Sequence, residues 1–183
     1  MRLSDYIIDW LSSKGINDIF TVSGGGSIVL CDAVARSDSM KYYCCHHEQA
    51  VAFAAEGYAR ASNKIGAALV TTGPGGTNAV TGVSSCWIDS IPLMFISGQV
   101  YSGQTIKDTQ LRQLGVQEIN IVDLVRPNTK YAVTISAPED IRYELEKAYH
   151  MAVSGRPGPV WLDVPADLQL AEIDVKQLRP FYP

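Results

Sequence analysis

The chain has 183 residues, of which 46% are hydrophobic and 19% charged, and a formal net charge of −4. That is the balance of one globular domain large enough to build a core without staples. There is no basic run and no apolar stretch of bilayer length, so nucleic-acid binding, anionic-membrane binding and a membrane span gain no support. Residues 1–6 lack the apolar segment of a signal peptide. Cys31, Cys44, Cys45 and Cys86 show no paired spacing, which fits reduced thiols in a cytoplasmic protein.

Leu3, Ile7, Trp10 and Leu11 recur on one helical face, and Gly15 is a natural stop. Residues 18–22 predict a short strand. Ser23-Gly24-Gly25-Gly26 makes a turn whose backbone can approach a ligand closely, and residues 27–36 a helix. The stretch 40–45 is short, aromatic and apolar, as a buried strand would be. An alanine-rich, proline-free helix follows it to about Asn63.

Residues 66–72 predict another buried strand. Gly73-Pro74-Gly75-Gly76-Thr77-Asn78 is a second glycine turn, opening onto a helix that runs to about Asp89, and 91–97 is a strand. Residues 98–115 are polar and glycine-containing and read mostly as an irregular loop. Residues 118–125 predict a short helix stopped before Pro127. Residues 130–135 form a strand, and Ser136-Ala137-Pro138-Glu139 has capping-box form before a helix of about 14 residues. After a turn at 155–159, residues 160–164 are the last strand. Proline, charge and weak periodicity mark the remainder: the domain covers 1–168, and 169–183 read as a linker leaving it.

Strands that alternate with helices and are continuously apolar predict an α/β fold, a parallel sheet with helices on both faces. Ligands in such sheets sit beyond the carboxyl ends of the strands. The glycine turn after Val22, Glu48 after its strand and the glycine turn after Thr72 all fall there. Glu48 stands where a strand gives way to a helix. The helix N-terminus favours its charge, while apolar neighbours such as Val51 and Phe53 favour the neutral acid, a competition that suits a carboxylate to proton chemistry.

Plainer readings exist for each motif. Gly24 to Gly26 also serve a bare tight turn, and their spacing lacks the Gly-x-Gly-x-x-Gly dinucleotide pattern. No Gly-Lys-Ser/Thr follows Gly73, which argues against a nucleotide P-loop. Neighbouring strand residues point to opposite faces, so Cys44-Cys45-His46-His47-Glu48 cannot easily surround one metal ion. His46 and His47 read as a packed or hydrogen-bonded pair, and Ser84 and Ser85 lack a nucleophile elbow. Glu56 reads as exposed or capping. Ala50, Ala54, Ala55 and Gly57 give their helix a small-residue face, for packing within the chain or for a subunit contact.

His47-Glu48-Gln-Ala-x-x-x-Ala-Ala-Glu-Gly-Tyr-Ala-Arg60 resembles the catalytic-glutamate segment of thiamin-diphosphate enzymes of the acetohydroxyacid synthase and pyruvate oxidase group. Four further stretches match in order: Thr72-Gly-Pro-Gly-Gly-Thr-Asn78, Asp89-Ser-Ile-Pro-Leu93 through Gly98-Gln-Val100, Arg126-Pro-x-Thr-Lys130, and Gly155-Arg-Pro-Gly-Pro-Val160. The resemblance runs to about Leu168 and is to the family's N-terminal pyrimidine-binding domain. It implies that Glu48 contacts N1′ of the aminopyrimidine as the catalytic residue and relays a proton to the cofactor. It places Gly24, Gly25, Gly73, Pro74, Gly75 and Asn78 around thiamin diphosphate, and Ser23, Val116 and Gln117 at the pocket of a small 2-keto acid substrate. It also implies a homodimer or larger homo-oligomer, built through the helix of residues 49–61.

The chain departs from the family pattern at Ser23, where many relatives have proline, and at Val116, where acetohydroxyacid synthases carry Phe. No Gly-Asp-Gly motif is present. In the family that motif belongs to a second domain, which holds the cofactor's diphosphate through Mg2+. The resemblance therefore leaves three readings: an N-terminal fragment inactive alone, a subunit completed by a partner chain with the diphosphate-binding domain, or a non-catalytic interaction domain. FAD in the complete enzyme stays open.

Overall fold

A computed structural model describes residues 1–107 and 109–183. Among the described residues, six strands form one all-parallel sheet: β1 Asp18–Thr21, β2 Lys41–Cys44, β3 Gly66–Val70, β4 Leu93–Gln99, β5 Tyr131–Thr134 and β6 Pro159–Pro165. Their order is β2-β1-β3-β4-β6-β5. The α-helices are α1 Leu3–Ser13, α2 Ile28–Arg36, α3 Glu48–Ser62, α4 Pro74–Asp89, α5 Ile121–Val125, α6 Ile141–Val153 and α7 Ala166–Leu170. None of the described helices is long and apolar enough to cross a membrane.

The period-two geometry of a strand explains why both faces are covered. Ala67, Leu69, Met94, Ile96 and Leu162 join the core under α1, α2 and α6. Their neighbours Ala68, Val70, Phe95 and Trp161 join a second core under α3, α4 and α5. Phe95 and Trp161 stack there with centroids 5.1 Å apart. Strands buried on both faces are mostly apolar, which is why this architecture was readable.

Three local expectations need correction. Residues 41–44 are exposed, not buried, because β2 is an edge strand paired only with β1. Its aromatic character serves one-sided cover instead: Tyr43 stacks on Phe20 at 5.0 Å and donates its hydroxyl to Asp18 at 2.9 Å. The capping box does not form. Pro138 opens a 3-10 turn through Asp140, so α6 starts too late for Ser136 to cap it. The short helix before Pro127 begins at Ile121, capped by Asn120, and not at Glu118.

Residues 166–178 lie against the domain. Leu3 N–H donates to the Ala171 carbonyl at 2.9 Å and Ile173 N–H to the Met1 carbonyl at 2.9 Å. Ile173 and Leu178 are buried in the first core, and Phe181 N–H reaches Glu146 at 2.7 Å. These apolar residues are too widely spaced to register as a periodic element.

Candidate active site

The strand order reverses between β1 and β3, since the chain runs from β1 out to β2 and then returns to the far side of β1. A crevice at such a reversal, outside the carboxyl ends, is where open α/β sheets bind ligands. Both glycine turns leave the sheet there, and Thr71 stands between them. Its Oγ1 accepts from Gly26 N–H at 3.0 Å. A Cβ on Gly24 would lie 2.5 Å from the Thr71 side chain, and one on Gly75 2.6 Å from Thr71 Cγ2. The two turns therefore close on one threonine only because they carry no side chains of their own. From α7, Gln169 braces the first turn, donating to the Gly26 carbonyl at 2.7 Å and to the Val164 carbonyl at 2.8 Å.

Glu48 is the first residue of α3. His47 precedes it in extended conformation and caps the helix, its Nδ1 accepting from Gln49 N–H at 3.1 Å. One Glu48 oxygen, Oε2, accepts from Asn78 Nδ2 on α4 at 2.9 Å. The other, Oε1, lies 3.2 Å from where a Gly75 Cβ would stand. A single carboxylate at a helix N-terminus is thus anchored by one oxygen and presented over the second glycine turn by the other.

Gly73 has φ +59°, and a side chain there would run into the Gln117 carbonyl, so both the conformation and the contact require glycine. Gln117 itself sits at φ +58°. Pro74 starts α4 at a position where its missing N–H costs no bond. Gly25 faces open space, and Ser23 is exposed. Val116 is 81% exposed. The structure thus gathers Gly24 and Gly75 on Thr71, brings Glu48 with its partner Asn78 to Gly75, and sets Gln117 on Gly73, with Ser23 and Val116 exposed.

His46 and His47 do not pair: both are exposed, and His47 spends its ring nitrogen on the helix cap. Among the described residues, no three His, Cys, Asp or Glu side chains are grouped to hold a metal ion. Glu56 is buried at 4% exposure, contrary to expectation. Arg60 Nε and Ser85 Oγ each donate to its Oε1 at 3.0 Å, which offsets part of the cost of a charge that α3 and α4 enclose, while Oε2 is buried without a partner among the described residues. The same enclosure pushes the adjacent Cys86 thiol up to about 12. The small-residue face is divided: Ala55 is buried and Ala54 half-buried, whereas Ala50 and Gly57 face outward, alongside the exposed Phe53 and Ala61.

Thr71, Gln169, Gln99 and Asp163 were not singled out from the sequence. A signal was present for Asp163, a carboxylate inside the apolar run of β6, which must find partners if buried. Ser97, Gln99 and Thr134 donate to it. Burial outweighs those bonds and pushes its carboxyl up to about 6. A cavity of about 420 Å³ opens beside Asp163, between β5 and α5, and its walls do not include Glu48.

The chain is similar to proteins already known. Residues 1–124 match the family model described as thiamine pyrophosphate enzyme, N-terminal TPP binding domain. An acetolactate synthase of Arthrospira platensis is 37% identical over 177 residues, 95% of this chain and 30% of that protein. A chloroplastic acetolactate synthase of Arabidopsis thaliana is 40% identical over 91% of this chain and 24% of its own length. A probable acetolactate synthase large subunit of Methanocaldococcus jannaschii is 38% identical over 97% of this chain and 29% of its own. The chain spans less than a third of each of these relatives. With the family model covering more than half of it, the chain belongs to the thiamine pyrophosphate enzymes, as their N-terminal TPP binding domain.

Proposed function

We propose that this chain is the pyrimidine-binding half of a thiamin-diphosphate enzyme acting on 2-keto acids, by acetolactate synthase-like carboligation or by decarboxylation, with Glu48 as its catalytic carboxylate. The observation that carries this reading is the half-anchored carboxylate beside a cradle with no room for side chains at Gly24 and Gly75. A flat ring needs walls of bare backbone, and an acid with one oxygen left over can meet a ring nitrogen. When bound, thiamin diphosphate supplies a nucleophilic carbon and an electron sink for 2-keto acid chemistry.

This chain's share is positioning and proton traffic. Gly24, Gly25, Gly73, Pro74 and Gly75 wall the pyrimidine, and Asn78 keeps the carboxylate from turning away. The free Glu48 oxygen holds a proton against ring atom N1′. Ser23, Val116 and Gln117 lie on the substrate side. Mg2+ and the cofactor's diphosphate belong to a further domain, in the same or a partner chain, so the 183 residues alone are inactive; FAD is a further cofactor that the complete enzyme can carry. The outward stripe of α3 pairs two copies. The compartment proposed is the cytoplasm, on the unpaired spacing of the four cysteines in the sequence.

The test is product analysis with the complete enzyme, thiamin diphosphate, Mg2+ and pyruvate. Carboligation turns two pyruvates into one acetolactate and one carbon dioxide, and decarboxylation gives acetaldehyde and carbon dioxide. Either product supports the reading. Failure to consume pyruvate or any other 2-keto acid contradicts it.

A further inference from the structure

Polar side chains on β4, β6 and β5, with Thr72 just after β3, form one connected network that is buried except at the half-buried Thr134. On β6, Asp163 accepts from Ser97 Oγ at 2.6 Å, Gln99 Nε2 at 3.1 Å and Thr134 Oγ1 at 3.2 Å. Gln99 reaches on from the sheet. Its Nε2 also donates to the Ile119 carbonyl at 3.1 Å, and its Oε1 accepts from Val100 N–H at 3.0 Å and from the Thr72 hydroxyl. The two backbone partners fix which end of the amide is which, because an N–H only donates and a carbonyl only accepts. At 2% exposure, Gln99 has every polar atom engaged.

Both things it holds flank the second glycine turn. Thr72 immediately precedes Gly73, and Ile119 follows Gln117 by two residues. Gln117 rests its carbonyl on Gly73 in a left-handed conformation that a glutamine keeps only under external constraint. Between them, Glu118 accepts from Ile106 N–H at 2.6 Å and Leu114 N–H at 3.1 Å, which fixes the upstream side of the loop.

We propose that Gln99, held in register by Asp163, is a positioning residue that clamps residues 115–120 onto the Gly73 turn and so sets where Gln117 stands relative to Glu48. Its consequence for substrate rests on the function proposed above; the clamp itself does not.

Hydrogen exchange on the full chain, without cofactor, reads the clamp. In the wild type, the Gln99 carboxamide protons exchange as slowly as the β4 backbone amides, and exchange at the rate of an exposed glutamine overturns the proposal without any variant. In Gln99→Met, similar in length but without polar ends, residues 115–121 exchange about tenfold faster, the scale of one or two lost buried hydrogen bonds. The strands at 66–70 and 93–97 meanwhile stay within about twofold of wild type. An unchanged rate at 115–121 overturns the clamp.

The double variant Gln99→Glu with Asp163→Asn separates positioning from bulk stability. Measured at about pH 9, where the introduced carboxyl is ionised and only accepts, it restores a hydrogen bond between positions 99 and 163 with donor and acceptor exchanged, but gives the Ile119 carbonyl no donor. Its thermal midpoint recovers relative to Gln99→Met while 115–121 stay fast. Recovery of both together would make Gln99 merely structural and overturn the proposal. No readout contains cofactor, so a failed clamp and a failed cofactor reading are told apart.

Discussion

Asn78 donates its side-chain amide to Glu48 Oε2 across 2.9 Å, joining the start of α3 to the second turn of α4. The bond restrains one carboxylate oxygen and leaves the other above Gly75. Two helices that begin at strand ends, one with the acid and one with its amide partner, thereby aim a single oxygen at the glycine turn. A carboxylate free to rotate would average over several directions. A carboxylate held at both oxygens would have none to offer.

The fit of Gly75 against Thr71 can be tested by filling it. Gly75→Ala places a methyl 2.6 Å from Thr71 Cγ2 and 3.2 Å from Glu48 Oε1. Overpacking of this kind costs about 2 kcal/mol, measured by urea unfolding. Adding Thr71→Ser removes Cγ2 and keeps the hydroxyl that accepts from Gly26 N–H. The double variant should regain much of the loss, and strict additivity of the two changes would show that the residues do not meet.

Asp163 gives a pH dependence with a definite sign. Its folded carboxyl is raised to about 6 from an ordinary 3.8, chiefly by burial, with Glu118 adding to the rise. Between those values the native state binds more protons than the unfolded chain, so the contribution is fully present below about pH 4, declines as pH rises towards 6 and is flat above. The span is about 3 kcal/mol. Subtracting the stability profile of Asp163→Asn from that of the wild type cancels other groups. The difference should fall with rising pH over that window, and parallel profiles would remove Asp163 as its source.

Much of this fold could be read from the sequence, because strands buried on both faces leave continuous apolar runs and glycine turns punctuate them. Glu48, Gly24, Gly75 and Asn78 were legible as members of motifs at strand ends. Thr71 was not, and Gln99 lay in a matched stretch without an assigned role, since the importance of both comes from contacts between turns far apart in sequence. Burial of Glu56 was hidden because its compensation, from Arg60 and Ser85, is partly on another helix. The edge position of β2 depends on strand order, which no local pattern in residues 41–44 encodes.

Pairing through α3 has its own test. Ala50, Phe53, Gly57 and Ala61 form an outward stripe, and a Cβ on Gly57 meets nothing within 4 Å in the single chain. Gly57→Glu should therefore leave the isolated fold intact and favour its helix by roughly 0.5 kcal/mol. Sedimentation should show a wild-type dimer and a variant monomer with an unchanged circular dichroism spectrum. The same association state for both proteins would exclude this face.

The most direct test concerns Glu48 in the complete enzyme loaded with thiamin diphosphate and Mg2+. Glu48→Gln keeps the size of the side chain and can still accept from Asn78, but it has no carboxyl proton to hold at the pyrimidine. The measurement is exchange of the cofactor's C2 proton for deuterium, with circular dichroism as the control for folding. Exchange should slow by roughly 10²–10⁴-fold, the usual scale of general acid–base assistance. Undiminished exchange in a folded Glu48→Gln enzyme would contradict the catalytic role of Glu48.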